Sequence, residues 1–215
     1  DVATTWADGR SNVRIIALDA NSGVANARNT ALASARGEYL WFVDWDDDWR
    51  PDIVQTLWAR ARDTDADVVV CGARWRTADG LVLGPAEELP ERDLLDAQQA
   101  IESMLEGRLK GYLWTKLVRR SLIELPAFPP MRSQSDFCGV VRFMARASKV
   151  AVHREVLYWH VVRDGSITNS KAPVLAKLDR CREAIRAASE ILPPSSRAHR
   201  LNVGSHYEYR LPSRV

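Results

Sequence analysis

Residues Glu38 to Asp48 read EYLWFVDWDDD, and how this stretch is taken decides the fold. The five apolar residues Tyr39 to Val43 form a run too continuous for a half-exposed strand, which predicts a central strand buried on both faces. The run ends in carboxylates. In an extended chain Asp44 and Asp46 leave the same face and can converge on one cation, and Asp47 and Asp48 extend the cluster. Four acidic groups within five residues cannot be buried unpaired, so a divalent cation or solvent must compensate them. A solvated acidic turn is the plain alternative. The apolar strand just before it favours the cation, and hard oxygen ligands suit magnesium or manganese.

Upstream, Val13 to Leu18 (VRIIAL) reads as a short β-branched strand. Val24 to Arg36 reads as an Ala-rich helix stopped at Gly37, with Ala27, Ala31 and Ala35 forming a small-residue stripe that can lie close to a sheet. Strand, helix and strand make a βαβ unit. Its right-handed crossover places 13–18 and 38–43 parallel, and ligands collect at the carboxyl ends of such strands, where the acidic cluster sits.

Downstream, Pro51 suits a first helical turn, and Ile53, Leu57 and Ala61 recur at helical spacing. Ala66 to Trp75 is the next strand, with a hairpin turn at Asp79-Gly80 into LVLG. Asp93 can cap a helix running to about Glu106. Beyond a Pro-rich loop, Phe137, Val140, Val141 and Met144 follow helical spacing, which sets Asp136 at the helix N-terminus. Residues 148–170 read as two strands with a turn near His153 to Glu155, then a polar loop from Arg163 to Ser170. Lys171 to Leu192 reads as a last amphipathic helix, halted by Pro193-Pro194. One domain, 1–192, is therefore expected, with 193–215 as a loosely attached tail.

The totals narrow the function. At 215 residues there is room for one core of ordinary size, and a net charge of +2 offers no nucleic-acid footprint. No stretch approaches the roughly 20 apolar residues that span a bilayer. Cys71, Cys138 and Cys181 are scattered, odd in number and without metal-ligand spacing, as in reduced cytoplasmic proteins, and no secretory leader follows Asp1.

Four motifs in order, Asn21-Ser22-Gly23, Ala27-Arg28-Asn29, Ala35-Arg36-Gly37-Glu38-Tyr39 and Asp44-Trp45-Asp46-Asp47, resemble those of family 2 of the glycosyltransferases. The second half adds Trp114-Thr115-Lys116-Leu117, Ser135-Asp136, and the run Leu157 to Thr168 containing Arg163 and Gly165-Ser166-Ile167-Thr168. The resemblance covers about residues 12 to 170 and implies the GT-A fold: α/β, a Rossmann-like mostly parallel sheet flanked by helices, with a C-terminal β-hairpin and helix. The chain departs from the pattern at two places. Ser135 stands where Glu is usual. Two opening strands that hold base and ribose are missing, so a fragment lacking roughly 40 to 60 residues ahead of Asp1 is expected, the size of one strand-helix-strand unit.

The resemblance also implies chemistry. An inverting, metal-dependent enzyme would move a sugar from a nucleotide-diphosphate donor to a hydroxyl of a glycan, lipid-linked or cell-wall acceptor, in the cytoplasm or at the inner face of the membrane. Asp46 would ligate a manganese or magnesium ion. Asp44 would share that ion or reach the ribose, and Asp47 is a weaker third member. Asp136 would be the general base, although a helix cap also explains an Asp there. Arg28, near a helix N-terminus, can meet donor phosphate or make a surface ion pair. Arg163 and Ser166 resemble the loop that closes over diphosphate. Lys116 and Trp114 can shape the acceptor side, with core packing as the default for any one tryptophan. His160 reads more readily as a hydrogen-bonded core residue than as a ligand. Two other functions compete with this one. A catalytically silent nucleotide- or glycan-binding module is compatible with Ser135, whereas a sugar nucleotidyltransferase would want a Gly-rich basic phosphate loop, which the sequence lacks.

Overall fold

A computed structural model describes residues 2–130 and 135–163. In chain order the elements are α1 (Val2–Ala7), α2 (Val24–Ser34), β1 (Tyr39–Trp41), β2 (Asp48–Trp49), α3 (Ile53–Thr64), β3 (Val68–Thr77), β4 (Val82–Pro85), β5 (Leu94–Leu95), α4 (Ala97–Leu105), β6 (Lys116–Arg119), α5 (Ser135–Arg146) and β7 (Val150–Val162). The expected helix Lys171 to Leu192, the tail 193–215 and Ser166 lie outside the described residues.

The strands form one sheet in the order β1-β6-β3-β7-β2, with β4 added to β3 and β5 to β7. The α/β layering is as expected, but the pairing is mixed. The long pair β3 and β7 is parallel, while β1 with β6, β6 with β3, β2 with β7, β4 with β3 and β5 with β7 are antiparallel.

The centre of the sheet is β3. From Val68 to Ala73 it is buried throughout, and its side chains alternate between two cores. Val68 and Val70 join Ile101, Met104, Phe128, Val140 and Met144 on the side of α4 and α5. Val69 and Cys71 join Ile53, Leu57, Trp114 and Tyr158 on the side of α3. The run Tyr39 to Val43 is therefore not the central strand. Leu40 and Phe42 lean on one core and Tyr39 and Trp41 on the other, so its two-faced apolar pattern is real. It is nevertheless an edge strand, half-buried and bonded only to β6 among the described residues.

Val13 to Leu18 forms no strand, and Ile15, Ile16 and Leu18 are exposed. The β-branched pattern supplies propensity, but a strand also needs a ladder partner, and none lies beside it among the described residues. The βαβ unit expected there is accordingly not formed. Helix α2 does form, turned differently from the alanine stripe: Ala25 and Leu32 are buried, with Arg28 and Asn29 half-buried, while Ala27 and Ala31 face out. Its orientation is set by Asn29, whose side chain accepts from the Ala127 and Phe128 amides and donates to the Phe128 carbonyl.

Two further corrections concern turns and caps. The hairpin expected at His153 to Glu155 is a bulge inside the single strand β7. The register with β3 passes from Cys71 opposite His153 to Gly72 opposite Val156, leaving Arg154 and Glu155 bulged out. Gly72 makes room, since a Cβ there would stand 2.8 Å from the Glu155 carbonyl oxygen. Asp93 holds this bulge through the Arg154 guanidinium and does not cap a helix. The cap of α4 is Asp96, which accepts from the Gln99 amide at 2.8 Å while the Gln99 side chain answers the Asp96 amide at 3.1 Å.

Candidate active site

After β1 the chain leaves the extended geometry. A turn closes from the Asp47 amide to the Asp44 carbonyl at 3.3 Å, and β2 begins at Asp48. Strand alternation therefore does not decide where the carboxylates point; the turn and its partners do. Asp44 faces α2, with Arg28 Nη2 at 3.6 Å from its Oδ1. Asp46 faces the end of β7, with Arg163 Nη1 at 3.4 Å from its Oδ2. Asp48 pairs with Arg76 of β3.

Asp47 points inward and is buried. Its Oδ2 accepts from the Tyr158 hydroxyl at 2.7 Å and lies 3.0 Å from His160 Nδ1, and its Oδ1 accepts from the Val161 amide at 2.9 Å. Both of its oxygens are thus engaged by protein donors, and Asp47 anchors the acidic turn to β7. His160, held by the same carboxylate, stacks its ring on Trp114 and meets Trp75 edge-on. It is half-buried against these rings. Tyr158 gained no role from the sequence. Its signal was the period of two that sets Tyr158 and His160 on one face of β7.

Burial raises the Asp44 pKa, the Arg28 guanidinium opposes that, and the nearby Asp47 and Asp46 carboxylates add to it. Two half-exposed carboxylates crowded in this way suit a divalent cation, which would relieve their repulsion. Among the described residues, no three His, Cys, Asp or Glu side chains gather into a complete cage.

The charge of Arg28 also acts on Asp136, the residue expected to be the base. Asp136 lies in the first turn of α5, and its Oδ1 accepts from the Phe137 amide at 2.9 Å. Burial pushes its carboxyl up, with the positive charges of Arg28 and Lys116 opposing. Arg28 thus pairs with the acidic turn while its charge reaches Asp136, and its guanidinium lies 5.8 Å from the centre of the Phe128 ring.

Lys116 and Trp114 are not on an acceptor surface. Trp114 is buried, stacked between Tyr112 and Tyr158, and its carbonyl accepts from the Trp41 indole. Lys116 has no exposed surface and pairs with Glu87 at 3.3 Å. Glu87 escaped the sequence reading because nothing in GPAEELP marks the first glutamate as the one that turns inward.

The comparisons with known proteins bear on this site. A sequence model described as Glycosyl transferase family 2 matches residues 1–124, more than half the chain and the whole acidic turn. The chain belongs to this family. Among curated family relatives, glycosyltransferase GlyG of Streptococcus pneumoniae is 28% identical over 169 residues, covering 75% of this chain and 56% of GlyG. The succinoglycan biosynthesis protein ExoO of Rhizobium meliloti is 31% identical over 163 residues, covering 73% of this chain and 47% of ExoO. The chain thus spans about half the length of these curated relatives. Among solved structures, S. aureus TarS in complex with UDP-GlcNAc superposes with a TM-score of 0.70 at 18% identity, over 90% of this chain and 54% of that one. At that identity the likeness shows a shared fold, and this family 2 chain has the GT-A architecture.

Proposed function

We propose that this chain carries the catalytic site of an inverting glycosyltransferase that takes a sugar from a nucleotide-diphosphate donor with the help of a divalent cation. The observation that carries the reading is Arg28: one guanidinium faces Asp44 of the acidic turn and lies within electrostatic reach of Asp136 on α5, so a cation-binding pair and a proton acceptor flank one positive charge. Family membership and the UDP-GlcNAc held by TarS support it.

A manganese or magnesium ion on Asp44 and Asp46 would neutralise the charge that grows on the leaving diphosphate. Arg28 and Arg163 are anchored on those carboxylates and can turn to diphosphate oxygens, where a guanidinium makes paired, charge-assisted bonds. Ser166, just past the described residues, is proposed to join Arg163 there. Asp136 takes the proton of the acceptor hydroxyl as it attacks the anomeric carbon from the face opposite the diphosphate, which inverts that carbon. The acceptor is a hydroxyl of a glycan, a lipid-linked sugar or a cell-wall polymer, met in the cytoplasm or at the inner face of the membrane. No helix among the described residues is long and apolar enough to cross a membrane.

Calorimetric titration with UDP-GlcNAc, with and without manganese, of the chain together with any residues encoded ahead of Asp1 tests the proposal. Binding is expected only with the metal and is expected to weaken in Asp46→Asn and Arg28→Ala. Equal binding in EDTA would remove the cation from the account. Tight metal-dependent binding with no turnover on any acceptor would favour the silent module.

A further inference from the structure

Glu87 and Lys116 form an ion pair with no exposed surface on either side chain, and the donor chemistry above does not use it. Glu87 follows β4, and Lys116 opens β6 opposite Val70 of β3. Lys116 Nζ reaches Glu87 Oε2 at 3.3 Å, the Thr115 hydroxyl at 2.8 Å and the Tyr112 carbonyl at 2.9 Å. Glu87 in turn accepts from the Thr115 hydroxyl at 2.8 Å and the Lys110 amide at 2.5 Å. Every hydrogen-bond partner of the two side chains outside the pair thus lies in the segment 110–115, which the pair clasps onto the sheet. Burying two charges costs about as much as their attraction returns, so stability alone is a weak account of the clasp.

The clasped segment has a second contact. Gly111 lies flat on the first turn of α5: a Cβ there would stand 2.7 Å from both Cα and Cβ of Phe137, the neighbour of Asp136. Burial pushes Glu87 toward its neutral form and Lys116 likewise, each checked by the other. The Lys116 charge in turn acts on Asp136.

We propose that the Glu87–Lys116 pair is a positioning device for Asp136: by fixing segment 110–115 it fixes the surface on which the first turn of α5 rests, and so the place where the Asp136 carboxylate meets the attacking hydroxyl. Neither residue touches substrate. The inference rests on Asp136 being the base and names what holds that base in place.

The test is the double variant Glu87→Gln/Lys116→Met in the whole chain, which removes both charges and strands neither. Two readouts apply: amide hydrogen exchange, and release of UDP from UDP-GlcNAc with manganese, each with and without Asp136→Asn. Exchange at the amides of Phe137 to Val141 is expected to rise about tenfold while that of α3 stays unchanged. The kcat is expected to fall about tenfold with the donor KM within about twofold, and to fall no further when Asp136→Asn is already present. Unchanged exchange in α5, exchange rising equally in α3, or a loss of kcat additive with Asp136→Asn would each overturn the proposal. Gly111→Ala tests the same contact with the charges intact and is expected to give the same pattern. Should Asp136→Asn alone keep its turnover, the base reading falls, and the exchange readout still judges the clasp.

Discussion

Burial pushes the Asp47 carboxyl up, and hydrogen bonds from His160, the Val161 amide and Tyr158 more than reverse this, holding it below the usual carboxylate range. A charged carboxylate so supplied with donors fixes the acidic turn to β7. Tyr158→Phe removes one donor from it, and urea unfolding is expected to show a loss of about 1 to 3 kcal/mol. The outward carboxylates behave differently. Asp46 is half-exposed, whereas Asp48 is tied to Arg76 in the paired strand β2. Asp46→Asn is therefore expected to weaken manganese binding by about tenfold, ~1.4 kcal/mol, and Asp48→Asn by less than about twofold. Calorimetry of the two variants checks this, and equal losses would mean that Asp48 is a ligand. The sequence marked this run as the candidate site, but not which of its carboxylates turns inward. A run of identical side chains carries no mark of its partners, and those partners lie more than a hundred residues away.

At the scale of elements, the bulge in β7 ties α3, β3 and the segment before α4 together. Gly72→Ala would drive a methyl against the Glu155 backbone, and thermal unfolding is expected to show a cost of about 1 to 3 kcal/mol. His153 is the last paired residue before that bulge. Burial lowers its pKa, Glu155 opposes, and Arg50 and Arg60 add to the lowering. Because the folded form holds the proton more weakly than the unfolded chain, stability is expected to fall as pH drops through about 6.5, until the lower folded pKa is passed. His153→Gln is expected to flatten that slope in urea melts at pH 5 to 7.5. Helices α3 and α5 and the hairpin of β3 and β4 were legible because periodicity and turn residues are local signals. The edge position of β1, the missing strand at Val13 to Leu18 and the bulge were not. Each depends on which strand lies alongside, which local pattern does not encode.

For the whole molecule, the sheet brings the acidic turn, α2 and α5 around Arg28, although the parts come from residues 28, 44–46 and 136. The family was legible because ordered motifs survive without knowledge of register. Asp136 and Arg163, however, lie beyond the residues 1–124 that the family's sequence model matches, so their roles rest on geometry and resemblance. The central claim is that Asp136 takes the acceptor proton. The direct measurement compares wild type with Asp136→Asn for donor affinity by calorimetry and for UDP release from UDP-GlcNAc with manganese. The amide keeps the oxygen that accepts from Phe137, so folding and donor binding are expected to stay nearly unchanged while turnover falls about 100-fold or more. Turnover close to wild type would contradict the account and return Asp136 to a purely structural part in the first turn of α5.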